Sequence, residues 1–160
     1  MKPAWPEPVE RVAAYLREAG AEARIEEFRR ETSSAEEAGD ALGVELPRIV
    51  KTLVFDCDGR PLVVMVPGDR RADRAKVAAA AGCSRAQIVG AADVQRVTGF
   101  PPGAVAPVPP AAAWALIDRG LLVHDVVWIG AGSTRHLAAL APRELVRLTR
   151  AQACDVTADG

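Results

Sequence analysis

The chain alternates between stretches with apolar residues at helical spacing and short apolar runs bounded by glycine and proline. Val9, Val12, Ala13 and Leu16 recur at helical spacing over 8–19, and Gly20 supplies the stop. Residues 23–28 (ARIEEF) predict a short strand. T-S-S-A-E-E-A-G-D-A-L-G then reads as a capped helix: Ser33 or Ser34 is the N-cap, Glu36 and Glu37 lie in the first turn, and Gly43 ends it. Two apolar runs, 48–57 and 61–67, flank D-C-D-G-R. Asp58-Gly59 is a hairpin signal, so these strands are expected to pair antiparallel. Helices are predicted over 73–81 and 91–98, each stopped by a glycine, and strands over 86–89, 113–117 and 125–129 (with V-V-W-I). R-H-L-A-A-L predicts a further strand. Pro142 opens a last helix as its N1 proline, and 152–156 returns as a final strand. Strands and helices interleave, yet at least one hairpin is antiparallel. The expected class is therefore α+β (mixed α/β), a mixed sheet with helices against it.

One residue breaks this pattern. Lys51 sits near the middle of I-V-K-T-L-V-F, a β-branched apolar run read as a buried strand. Alternation puts its side chain on the face of Ile49, Leu53 and Phe55. An ammonium there is costly unless it is paired, and no acidic residue lies within the run. Either its stem covers apolar surface while the head reaches water, or a partner comes from elsewhere in the fold or with a ligand.

The length of 160 residues fits one domain, 1–160, with room for a substantial core. Aromatic residues are only 4%, so Val, Leu, Ile and Ala must fill that core. A net charge of −1 rules out a global basic field, which argues against DNA and confines any nucleic-acid contact to a small area. Cys57, Cys83 and Cys154 form no CxxC pair and no zinc set with His124 and His136. Free thiols in a reducing cytoplasm are expected, with no metal and no cofactor. M-K-P-A-W-P-E-P-V-E-R-V has no apolar core of the kind a signal peptide needs, and no apolar stretch approaches the roughly 20 residues that span a bilayer.

Several chemistries are missing. There is no Walker loop, no GxGxxG after a strand, no GxSxG elbow and no HExxH. His124 adjoins Asp125, but neighbours in a strand face opposite ways, so both histidines read as structural or surface groups. Asp56 and Asp58 read as solvated turn residues. What remains is Lys51-Thr52, the proline-gated loop G-F-P-P-G-A-V-A-P at 99–107, and G-A-G at 130–132. Glycine lets backbone N–H groups approach a ligand and bind an anion or oxyanion, although any one of these glycines alone reads better as a simple turn.

In order, K-T-L-V-F, L-V-V-M-V-P-G-D-R-R-A-D, V-T-G-F-P-P-G-A-V-A-P and V-V-W-I-G-A-G, closed by P-R-E-L-V-R-L-T, resemble the YbaK/prolyl-tRNA synthetase editing-domain family over about 20–157. The resemblance implies a single domain with a curved, mixed, mostly antiparallel sheet tending to a barrel and wrapped by helices. It also implies hydrolysis of the ester joining a wrong small amino acid to tRNA, with tRNA(Pro) the first to try. No synthetase domain accompanies the segment, so a free-standing trans-editing factor is expected, with the mischarged tRNA acceptor end as partner and a synthetase as a second one.

The resemblance carries over to named positions. Lys51 falls on the family lysine that holds the phosphate of the terminal adenosine. Thr52 follows it on the other side of the strand. The family's GxxxP loop falls on Gly103, Ala104, Val105 and Pro107, with backbone toward the substrate carbonyl. The later Ser-Gly-Gly loop becomes Gly130-Ala131-Gly132, without the serine. Thr32 begins the segment that closes the amino-acid pocket, and Arg135 or the basic stretch 69–76 could meet the acceptor stem. The implied mechanism uses a free ribose hydroxyl to help activate water, and Lys51 and Gly103 are the catalytic positions. Two alternatives stay open: a non-catalytic module that binds aminoacyl-tRNA or a synthetase, and hydrolysis of another small ester or phosphate-bearing ligand.

Overall fold

The structure, a computed structural model, describes residues 5–112 and 114–159. The first four residues of the proline-rich start, and Ala113 at the head of the strand predicted over 113–117, lie outside them. Among the described residues, five α-helices and eight strands follow in the order α1 (Glu7–Glu18), β1 (Ala23–Glu27), α2 (Ala35–Leu42), β2 (Val50–Cys57), β3 (Arg60–Pro67), α3 (Arg74–Ala81), β4 (Ala86–Ile88), α4 (Ala91–Thr98), β5 (Ala115–Asp118), β6 (Val127–Gly130), β7 (His136–Leu140), α5 (Pro142–Thr149) and β8 (Gln152–Cys154).

The β2–β3 hairpin forms the centre. Its register pairs Cys57 with Arg60 across a two-residue turn. Asp58 and Gly59 both take positive φ, 52° and 88°, the left-handed pair that a tight hairpin of this twist requires. β3 is apolar at successive positions because both its faces are buried. Val63 and Met65 join a core with α1 (Val12, Leu16) and α5 (Leu145), while Leu62, Val64 and Val66 join a second core with Val77 of α3.

The strands form two sheets. One is antiparallel in the order β1-β7-β6; the other, β4-β2-β3-β5-β8, is mixed, with β3, β5 and β8 parallel. The expected tendency to a barrel is corrected here, because the sheets do not close. They pack on a shared core, and among the described residues one parallel bridge, between Ile49 and Trp128, links them through the backbone. β4 pairs only with Phe55–Cys57, which leaves the first half of β2 without a neighbour on that side. Between that bridge and β4 the sheet edge is open.

The expectation of free thiols is also corrected: Cys57 and Cys83 form a disulfide, with Cα atoms 5.9 Å apart. The pairing of β4 with β2 sets Ala86 opposite Cys57 and so carries Cys83 to it. Asp58, read from sequence as merely solvated, fastens the same corner: its carboxylate accepts from Ser84 N (2.7 Å) and Arg85 N (3.1 Å). Asp56 likewise accepts from Gly59 N. Cys154 is free and buried. β6 starts at Val127, so His124 and Asp125 stand in a turn rather than on a strand, and both border one shallow surface cleft.

Candidate active site

At the open edge of β2 lies a cavity of about 370 Å³, within the usual size of small-molecule sites. Three segments meet there: the start of α2, the first half of β2, and the 103–105 loop against the end of β6. Ser34 makes the first of these stable. Its hydroxyl accepts from Glu37 N, and the Glu37 carboxylate accepts from Ser34 N, a reciprocal cap. The choice between Ser33 and Ser34 as cap is thereby made.

Lys51 is half-buried and borders the cavity. It lies on the β2 face that carries Leu53, Phe55 and Cys57, which pack with Val77 beneath α3. That cover ends before Lys51, which is why a charge is tolerated there. Burial pushes the Lys51 ammonium below the ordinary lysine pKa. Glu36 is the strongest charge opposing this shift; Arg71 adds to it and Asp69 opposes it. Lys51 makes no ion pair among the described residues. Thr52 borders the same cavity although it alternates with Lys51, because the cavity sits at the strand edge rather than over one face. Its hydroxyl oxygen is buried without a hydrogen-bond partner.

The 103–107 loop approaches β6 closely. Gly103 has φ 80°, and a Cβ on it would stand 3.0 Å from Ser33 Cβ. A Cβ on Gly130 would stand 2.6 Å from Val105 O. Residue 130 therefore carries no side chain because the loop backbone occupies that space. Ala104 N donates to Pro101 O (3.0 Å), which commits that donor. The N–H groups of Gly103 and Val105 make no hydrogen bond among the described residues, and both residues border the cavity.

Of the remaining sequence-predicted positions, Thr32 and Gly130 border the cavity. Thr32 is only 5% exposed, and both its N–H (2.7 Å) and its hydroxyl (3.1 Å) donate to Thr134 O, so it pins the α2 approach to the 130–135 turn. Ala104, Pro107, Ala131 and Gly132 are buried behind the loops and do not reach the cavity. Arg135 is exposed beside Glu31, outside the cavity. Within the basic stretch, Lys76 is held by Asp155, Asp159 and Thr157 O, and Arg70 donates to Ala158 O; both serve to fasten the C-terminal tail. Sequence reasoning missed Glu36 and Trp128 as cavity residues. The capping box could have indicated Glu36, since it consumes Glu37 and leaves its neighbour free.

His136 is buried on β7, between Ser133 Oγ at Nδ1 and Glu27 Oε2, 3.1 Å from Nε2. Leu137 borders the cavity, so the alternation of β7 turns His136 to the opposite face. No group of His, Cys, Asp and Glu among the described residues is placed to hold a metal. The site offers the Lys51 ammonium, the Glu36 carboxylate, loop backbone and an apolar wall.

Residues 29–148 match the family model of the aminoacyl-tRNA editing domain. The chain belongs to that family. It is 28% identical over 126 residues to an Enterococcus faecalis protein provisionally named Cys-tRNA(Pro)/Cys-tRNA(Cys) deacylase EbsC, covering 78% of this chain and 77% of that one. It is 33% identical over 96 residues to the proline–tRNA ligase of Maridesulfovibrio salexigens, covering 60% of this chain but only 16% of the ligase. Among solved structures, one provisionally described as a trans-editing enzyme for prolyl tRNA synthetase superposes with a TM-score of 0.89 at 31% identity, covering 98% of this chain and all of that one. No helix among the described residues is long and apolar enough to cross a membrane.

Proposed function

We propose that this editing domain is an aminoacyl-tRNA deacylase that hydrolyses the ester of a small mischarged amino acid. The observation that carries the reading is Lys51: a half-buried ammonium without an ion-pair partner, facing a cavity whose loop has uncommitted backbone N–H groups. A phosphate of the tRNA end supplies the missing anion and fixes the register of the acceptor end. Water attacks the ester carbonyl carbon, the bond from that carbon to the ribose oxygen breaks, and the ribose oxygen leaves with a proton. The products are the free amino acid and tRNA. The N–H groups of Gly103 and Val105 are the donors for the oxyanion of the intermediate. A neighbouring ribose hydroxyl orients the water, and the protein contributes position and preorganised dipoles.

The test is a deacylation panel of mischarged tRNAs. The names of the relatives make Cys-tRNA(Pro) and Cys-tRNA(Cys) the first to include. Release by the wild-type chain, lost in Lys51→Ala with the fold intact, is the expected result. Binding across the panel without release would instead favour a module that only holds aminoacyl-tRNA. Full activity in Lys51→Ala would remove the lysine from the mechanism.

A further inference from the structure

The cavity contains a carboxylate as well as an ammonium. Glu36 stands in the first turn of α2 and borders the cavity beside Ser34 and Ala35. Its neighbour Glu37 is spent on Ser34 N and Ser33 Oγ. Glu36 makes no hydrogen bond and no ion pair through its side chain among the described residues. It nevertheless acts on Lys51 more strongly than any other charge. The two groups thus share one space without touching.

Opposed charges that border one cavity without pairing complement a ligand that carries both signs. The substrate class proposed above has this character. Its phosphate is anionic, and its aminoacyl group carries a primary amine on the Cα bonded to the carbonyl carbon under attack. Binding that amine would place the carbonyl as well as select for it.

Resting on the deacylase reading, we propose that Glu36 receives the α-ammonium of the aminoacyl group, so that the site selects esters of free amino acids over N-blocked ones. The apolar wall of Ile49, Trp128 and Leu137 is left for the side chain. Lys51 and Glu36 together then read the two ends of the ligand's polar frame.

Two probes test this. The first is a pair of non-hydrolysable analogues, 3′-alanylamino-3′-deoxyadenosine 5′-phosphate and its N-acetyl derivative, bound to wild type and Glu36→Gln by calorimetry. The second is release from alanyl-tRNA and N-acetylalanyl-tRNA by the same two proteins. Wild type is expected to prefer the free-amine analogue by roughly two- to fivefold, as a partly exposed ion pair allows. Glu36→Gln should erase that preference by weakening the free-amine analogue alone. Equal weakening of both analogues, or a preference that survives the substitution, overturns the proposal. So does wild-type protein that binds neither. If the binding preference behaves as expected but neither tRNA nor any member of the panel is hydrolysed, Glu36 keeps its role and the deacylase reading fails.

Discussion

A Cβ built on Gly130 would lie 2.6 Å from the carbonyl oxygen of Val105. The backbone of Gly130 itself is not in the left-handed region, so the constraint is space rather than conformation. Gly130→Ala must therefore push the 103–107 loop away from β6. Overpacking of this kind costs about 1–3 kcal/mol. Because the displaced loop holds the proposed oxyanion donors, kcat should fall roughly 100-fold. Gly132→Ala is the control. Its Cβ would meet Pro8 C and O at 2.8 Å, on the α1 side, and its φ of 103° adds strain. It should lower Tm at least as much while leaving kcat closer to wild type. Equal loss of kcat in both variants would count against the loop.

Lys51 predicts a pH dependence of known sign. Its pKa is lowered, with burial as the first cause. Phosphate binding needs the ammonium, so kcat/KM should fall on the alkaline side at a lower pH than an exposed lysine would give. Stability runs the other way. The folded state penalises the charged form, so between the lowered folded pKa and the ordinary lysine value the unfolded chain binds more protons, and stability rises with pH across that window. Lys51→Met should therefore keep or raise Tm at neutral pH while abolishing release. Glu36→Gln removes the strongest opposing charge and should move the alkaline limb to still lower pH. Kinetic pH profiles of wild type and Glu36→Gln, with thermal melts of Lys51→Met against wild type, decide the point.

How much of this was legible beforehand depends on whether the cause is local. The Asp58-Gly59 turn, the capped helix at Ser34 and the N1 proline at Pro142 are written in neighbouring residues, and each was readable. Lys51 was conspicuous because its immediate neighbours are apolar. The Cys57–Cys83 bond was not readable, because it follows from the register of β4 on β2 across 26 residues of separation. The open edge was hidden for a similar reason: closure depends on how far the β2 segment pairs with β6, and among the described residues one bridge, from Ile49 just ahead of β2 to Trp128, joins them. Within the site, Lys51, Thr52, Gly103, Val105 and Gly130, each named from the sequence, border one cavity, whereas the close approach of Val105 O to Gly130 is visible only in the fold. Ala131, Gly132 and Arg135 were placed too near the cavity, because chain proximity to Gly130 does not say which way each residue points.

The disulfide predicts a redox-dependent stability. Closing a loop with a sequence separation of 26 is worth about 3 kcal/mol in the chain-entropy account. Reduction, or Cys83→Ser, should then lower Tm by roughly 6–12 °C for a domain of this size. Asp58 holds the same corner through Ser84 and Arg85, and Lys51 lies at the far end of β2, so the cavity should keep its form. Thermal melts with and without reductant, beside deacylation rates at a temperature well below both transitions, test the separation. A matching loss of activity on reduction would show that the corner and the cavity are coupled.

Ser33 and Ser34 are adjacent hydroxyls with unequal work. Ser34 Oγ accepts from Glu37 N (3.0 Å), one of the helix donors that otherwise lacks a partner. Ser33 Oγ donates only to the Glu37 carboxylate (3.1 Å), on the exposed side. Ser34→Ala should cost about 1 kcal/mol and Ser33→Ala a few tenths, by denaturant melts. The first turn of α2 carries Ala35 and Glu36 against the cavity, so its fraying should also reach substrate binding. KM should rise in Ser34→Ala with kcat little changed, because the loop donors and Lys51 stand on other elements. A Ser34→Asp variant, which retains an oxygen able to cap the same N–H, should restore both stability and KM. Failure of that rescue would assign the effect to the Ser34 hydroxyl at the cavity rather than to the helix it caps.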